Sequence, residues 1–119
     1  MTKKRYDAHS TEFGLWLRDQ DEIASARGFV ATNVDYLWRN YRTRQFMLLE
    51  EKRYGASVKF PQTECFAVLD RACQSADGYE GFHVIRFENT SPDDGRMWLD
   101  DAEIDRAALI RFLRFEVAD

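Results

Sequence analysis

Residues 45–54 constrain this chain more than any other segment. Their centre, Phe46-Met47-Leu48-Leu49, is the most strand-like apolar run in the sequence, and it passes directly into Glu50-Glu51-Lys52-Arg53. Such a strand buries its apolar part in a sheet and delivers its charges to the rim. Side chains alternate with period two, so Glu50 and Lys52 share a face while Glu51 points away. Upstream, residues 29–41 are rich in β-branched and aromatic side chains (Val30, Val34, Tyr36, Leu37, Trp38, Tyr41) and read as a long partner strand. Residues 40–44 read as the turn between the two. With the turn centred between Arg42 and Thr43, residues pair when their numbers sum to 85. That register sets Asp35 opposite Glu50, on one side of the sheet and about 5 Å away.

The flanking segments supply helices. Ser10 or Thr11 can cap a helix that carries Phe13, Trp16, Leu17 and Gln20 on one face. A looser helical turn continues to Arg27, and Gly28 suits the left-handed position that ends it. Pro61 opens a second helix with Phe66, Leu69, Ala72 and Cys73 inward. Gly78 precedes a strand over residues 82–87, residues 91–95 form a turn, and residues 96–99 a short strand. Asp100-Asp101 turns the chain back, and Asp105 caps a last helix with Leu109, Phe112 and Leu113 inward. The order is helix, strand, strand, helix, strand, strand, helix. It predicts a mixed α/β fold in which helices flank a small central sheet. A chain of 119 residues and 14.0 kDa supports one core, hence one domain over 1–119 with residues 1–9 as a polar arm.

Charge narrows the function classes. The net charge is −4, which argues against a nonspecific nucleic-acid coat, since that would be basic throughout. Residues 39–59, however, hold six cations against two acids, while residues 88–119 hold nine acids against four arginines. A polyanion can therefore meet one basic face; equally, the arginines can decorate a solvated hairpin. No apolar run approaches the length of a membrane span, and the N-terminus lacks the apolar stretch of a signal peptide. Cys65 and Cys73 lack metal-ligand partners at the usual spacings and read as core filler. The expected setting is soluble, reducing and cytoplasmic. His9 and His83 have no catalytic partner in view.

Two carboxylates as close as Asp35 and Glu50 repel unless a cation lies between them. A hard cation with oxygen ligands, Mg²⁺ or Mn²⁺, is what such a pair attracts, and Lys52 stands two residues on to hold a water beside it. The plainer alternative is a surface salt bridge joining Asp35 or Glu50 to Lys52 or Arg39.

At these residues the chain resembles the PD-(D/E)XK nuclease superfamily, in the style of small Holliday-junction resolvases and related phage nucleases. The matching residues are Asp35 in Asn33-Val34-Asp35-Tyr36, then Glu50-Glu51-Lys52, with the acid Glu12 in the first helix and Gln62 near the start of the helix after the lysine strand. Val34 stands where the family name has proline. The resemblance covers the chain to about residue 99 and implies a restriction-endonuclease-like αββαββα order. It implies catalytic roles for Glu12, Asp35, Glu50, Lys52 and Gln62. Asp35, Glu50 and the backbone carbonyl of Glu51 would ligate Mg²⁺ or Mn²⁺, Lys52 would orient the attacking water, and Glu12 would lie beside the metal. Arg39, Arg42, Arg44 and Arg53 would bind flanking phosphates of DNA. A homodimer acting on two strands is a further expectation from the same resemblance. The competing expectation is a non-catalytic, nuclease-fold binding module, such as a phage-encoded one, that engages DNA or a protein partner.

Overall fold

A computed structural model describes residues 11–116. The polar arm expected over residues 1–9, with His9, lies outside the described residues. The chain divides into two compact units, Met1–Asn33 and Val34–Asp119.

In the first unit, Thr11 caps helix α1 (Glu12–Asp19), its hydroxyl accepting a hydrogen bond from the Gly14 amide. The Phe13 and Trp16 rings stack 6.1 Å apart, one helical turn from each other. No residue of α1 is buried. Two short 3₁₀ turns follow, Asp21–Ile23 and Ser25–Arg27, and Gly28 ends the second in the left-handed region, at φ 97°. That is the position expected of it, because the region costs glycine nothing.

The second unit is mixed α/β: an open five-stranded sheet with two helices. Its strands are β1 (Tyr36–Asn40), β2 (Gln45–Lys52), β3 (Tyr79–Phe87), β4 (Met97–Leu99) and β5 (Ala102–Ile104), side by side in chain order. Helix α2 (Gln62–Cys73) connects β2 to β3, which run parallel; every other neighbouring pair is antiparallel. Such a parallel pair requires a crossover, and α2 supplies it. Helix α3 (Arg106–Leu113) closes the chain, capped by Asp105 through the Ala108 amide.

The β1–β2 register runs from Tyr36↔Leu49 to Asn40↔Gln45, the pairing expected from the sequence. Strand β1 is much shorter than expected, because its partner turns away. Beyond Lys52, Tyr54 and Gly55 adopt positive φ, and their amides bond to Asn89 and Phe87 carbonyls, so residues 29–35 have no ladder to join. At the other end, the Asn40 side chain accepts from the Arg42 and Thr43 amides, folding the four-residue loop. Gly78 lies against that loop: a Cβ there would sit 2.0 Å from the Arg44 carbonyl oxygen, so only glycine fits.

Alternation sorts the sheet into two faces. Leu49, Ile85, Phe87 and Met97 face α3 and form the core with Leu109, joined by Leu99, Ile104, Phe112 and Leu113. Leu48 and Phe82 are register partners on the opposite face, where Phe82 meets Phe66 of α2 at 4.4 Å between ring centroids. A bulge in β3 shifts the register between Phe46 and Leu48, which lets Tyr79 and Phe82 share that face although they stand three positions apart, an odd number. Tyr79 packs there on Phe46 and donates to Asp70 of α2. In α2, Phe66 is buried and Leu69 and Cys73 half-buried, as expected, but Ala72 is exposed. A fifth strand, β5, was not expected; it follows the Asp100-Asp101 turn, whose two residues both take positive φ, as a tight hairpin demands. Among the described residues no helix is long and apolar enough to cross a membrane, and both cysteines are free.

Candidate functional site

Strand β2 leaves the core just beyond Glu50: Leu49 and Glu50 are buried, whereas Glu51 and Lys52 are half-buried. Glu50 is 4% exposed, the one charged side chain among the buried residues described. Burying a carboxylate demands hydrogen-bond donors, and three surround it. The Asp35 amide donates to Oε1 at 3.3 Å, the Gln62 amide nitrogen donates to Oε2 at 3.2 Å, and the Lys52 ammonium lies 3.5 Å from Oε2. Lys52 also donates to Gln62 Oε1 at 3.0 Å. The α2 face of the sheet thus ends in a closed circuit of Glu50, Lys52 and Gln62, and each member arrives for a local reason. Strand alternation aligns Glu50 with Lys52, and the start of α2 brings Gln62 over both.

Asp35 sits one residue before β1, across the hairpin from Glu50, and is exposed. Its Oδ2 accepts from the Glu51 amide at 2.9 Å. The two acids are therefore joined reciprocally, each carboxylate bonded to a backbone amide on the other's strand. Glu51 points to the opposite face, taking the Tyr36 hydroxyl at 2.8 Å and the Arg53 guanidinium at 3.4 Å. Burial, followed by the Asp35 charge, raises the Glu50 carboxyl above the ordinary carboxylate range, against the opposing pull of Lys52 and the Asp35 amide.

The oxygens that the hairpin brings together here are the carboxylates of Asp35 and Glu50. These are hard donors of the kind Mg²⁺ and Mn²⁺ prefer. A cation beside Glu50 would counter the burial and the Asp35 charge that together raise its pKa. Among the described residues no group of three or more His, Cys, Asp and Glu side chains could hold a metal. An ion at this place would take two side chains, with backbone and water completing its shell.

The remaining expected residues are placed differently. Glu12 opens α1 in the first unit and is exposed; an acid in that turn also suits the helix dipole. The arginines do not gather round the acids. Arg53 pairs with Glu51, and Arg39 lies over the Phe46 ring, 6.0 Å from its centroid. Arg42 and Arg44 occupy the loop at the far end of the hairpin, five strand residues or about 17 Å from Asp35.

One cluster escaped the sequence reading. His83 Nδ1 lies 2.6 Å from Asp100 Oδ2, its Nε2 lies 2.9 Å from the Glu80 carbonyl, and its ring meets Phe112 edge-on at 4.9 Å. Asp100 Oδ1 accepts from the Val84 amide. Burial pulls the imidazole pKa down, but the Asp100 hydrogen bond, the Glu80 carbonyl and the Asp100 charge outweigh it, and the net shift is upward. The available signal was the acidic doublet 100–101, which reads from sequence only as a turn. No family model, curated protein or solved structure matches this chain.

Proposed function

We propose that this protein is a divalent-metal-dependent nuclease that hydrolyses phosphodiester bonds of DNA, of the PD-(D/E)XK kind. The reading is carried by one observation: a buried carboxylate with raised pKa, across a hairpin from a second acid, is hydrogen-bonded into a circuit with a lysine and a glutamine. The helix–hairpin–helix–strand order through β3, with β2 and β3 parallel, supports the same reading.

In this proposal Asp35 and Glu50 hold the ion with the Glu51 carbonyl. When bound, Mg²⁺ or Mn²⁺ supplies Lewis-acid polarisation of the phosphoryl oxygen. Lys52 orients the attacking water and stabilises the negative charge that grows on the phosphate as the new P–O bond forms and the old one breaks. Gln62 fixes the Lys52 ammonium in line with Glu50, so the amine is positioned before substrate arrives. Glu50 would hold the ion from the buried side and Asp35 from the exposed side.

The reciprocal bonds between Asp35 and Glu50 favour a second reading, in which the pair merely staples the open end of the hairpin in a non-catalytic binding module. One experiment separates the two. Plasmid and branched DNA are incubated with metal-free protein, then with Mg²⁺ or Mn²⁺, and Mn²⁺ binding is followed by calorimetry. The nuclease reading expects metal-dependent cutting that falls by about 10²-fold or more in Asp35→Asn and in Glu50→Gln, with Mn²⁺ binding lost in Asp35→Asn. Folded wild-type protein that never cuts, or cutting retained in both variants, overturns it.

A further inference from the structure

At the far end of the hairpin, away from the acids, β1 and the end of α3 enclose an open cleft of about 430 Å³. Trp38, Tyr41, Arg42, Leu113, Arg114 and Phe115 line it. Its construction is local. Trp38 alternates onto the α3 face, and its indole N–H donates to the Leu113 carbonyl at 2.7 Å. Phe115 takes a positive φ of 59°, and the Glu116 amide returns to the Arg111 carbonyl, so the chain doubles back after α3 and sets Phe115 at the rim. Tyr41, 78% exposed, stands on the first position of the hairpin loop.

We propose that this cleft binds single-stranded DNA, an unpaired base stacking on Tyr41 and Phe115 while Arg42 and Arg114 take the adjoining phosphates. The choice of DNA over other polyanions rests on the nuclease reading; the rest comes from the cleft. The exposed Tyr41 ring and the half-buried Phe115 ring, beside two guanidinium groups, are what an unstacked base and its phosphate require, and a duplex offers no free base face. A helix C-terminus ordinarily repels phosphate, but here the Leu113 carbonyl is occupied by Trp38. Arg39 also lines the cleft, with its guanidinium lying over the Phe46 ring. Among the described residues Glu116 is the acid at this end, its Oε2 2.7 Å from Arg114 Nε, and a phosphate must compete with it.

The test is fluorescence anisotropy with a labelled twelve-nucleotide oligo-dT in EDTA, so that binding is read without metal or cleavage. Tyr41→Ala is expected to weaken binding by about tenfold, the effect of one lost stacking partner. Arg42→Gln and Arg114→Gln each lower the slope of log affinity against log salt by about 0.7, as expected for one lost phosphate contact to a single strand. Glu116→Gln tightens binding by freeing Arg114. All four residues are exposed, and circular dichroism checks that the variants remain folded. The proposal is overturned if wild-type protein does not bind, if a duplex of equal length binds as tightly, or if the Arg42→Gln/Arg114→Gln double variant binds as wild type does. Binding without cutting would sink the nuclease reading alone; cutting with binding indifferent to these variants would sink this inference alone.

Discussion

Glu50 and Asp100 are both carboxylates held against β3, on opposite faces of the sheet, and they end with opposite acidities. Glu50 is deeply buried, faces a second acid across the hairpin, and has its carboxyl pKa raised. Asp100 is about half-exposed, meets an imidazole at 2.6 Å and a backbone amide at 2.9 Å, and has its carboxyl pKa lowered despite the cost of burial. Burial pushes both carboxyls up; at Glu50 it is the largest influence and the Asp35 charge adds to it, whereas at Asp100 the His83 and Val84 hydrogen bonds and the imidazole charge outweigh it. Asp100 has a partner whose charge rises to match its own. Glu50 has its hydrogen bonds but a surplus of negative charge nearby, which opposes folding and suits a cation.

The largest expected effect follows from removing what opposes that surplus. Lys52→Met leaves Glu50 hydrogen-bonded but without its cation, and at pH 8 the loss of stability is expected near 2 kcal/mol, below the fully buried case because the amine is partly exposed. At pH 4 Glu50 is protonated and most of the loss disappears. Urea denaturation at the two pH values measures both. Equal losses at both would mean that Lys52 contributes packing and not charge.

Asp100→Asn probes the other face and is expected to cost about 1 kcal/mol. The pH window has two edges. The His83 pKa is raised on folding, so its contribution is fully present below the ordinary imidazole value and fades as pH climbs through the raised one. The Asp100 pKa is lowered, so its contribution is present above the ordinary carboxylate value and fades as pH falls through the lowered one. The pair therefore stabilises most between about pH 4 and 6.5. In the variant, the His83 titration followed by NMR moves to lower pH. A titration that stays in place would remove the contrast between the two faces.

What could be read from the sequence divides along the same line. The Asp35–Glu50 juxtaposition was legible because a hairpin register is arithmetic: one turn position fixes every pair along it. The extent of β1 was not legible. Phe29, Val30 and Val34 have strand-forming side chains, but a strand needs a partner, and the partner leaves at Tyr54 and Gly55 to bond to residues near the end of β3. Strand β5 is three residues wedged between a turn and a helix cap, too short to show a period. His83–Asp100 joins residues 17 apart through a β4–β5 turn with two positive-φ aspartates, and no local pattern announces such a pair. Gln62 was legible as a polar residue opening α2, but its bridge between Lys52 and Glu50 depends on how α2 lies over the sheet.

The smallest effect is the most telling about why an acid stands at position 50. Glu50→Gln keeps the shape and removes the charge. One of the bonds from Asp35, Gln62 or Lys52 then meets a donor in place of an acceptor, at a cost of about 1 kcal/mol. Against this, the desolvated charge and its repulsion from Asp35 are gone, so the net change at pH 7 should lie within about 1 kcal/mol of zero. The sign of the pH dependence is sharper than the net value. Because the folded pKa of Glu50 is raised, the native protein holds more protons than the unfolded chain between the ordinary carboxylate value and the raised one. Wild-type stability falls as pH rises through that interval, and the variant lacks this fall. Relative to wild type, Glu50→Gln should therefore gain ground in urea denaturation from pH 4 to pH 8, while the metal-dependent cutting proposed for the wild type should be lost. That combination marks a carboxylate kept for what it binds and not for what it holds together. A variant that loses ground as pH rises would show instead that the ionised acid stabilises the hairpin, and Glu50 would join Asp100 as a structural group.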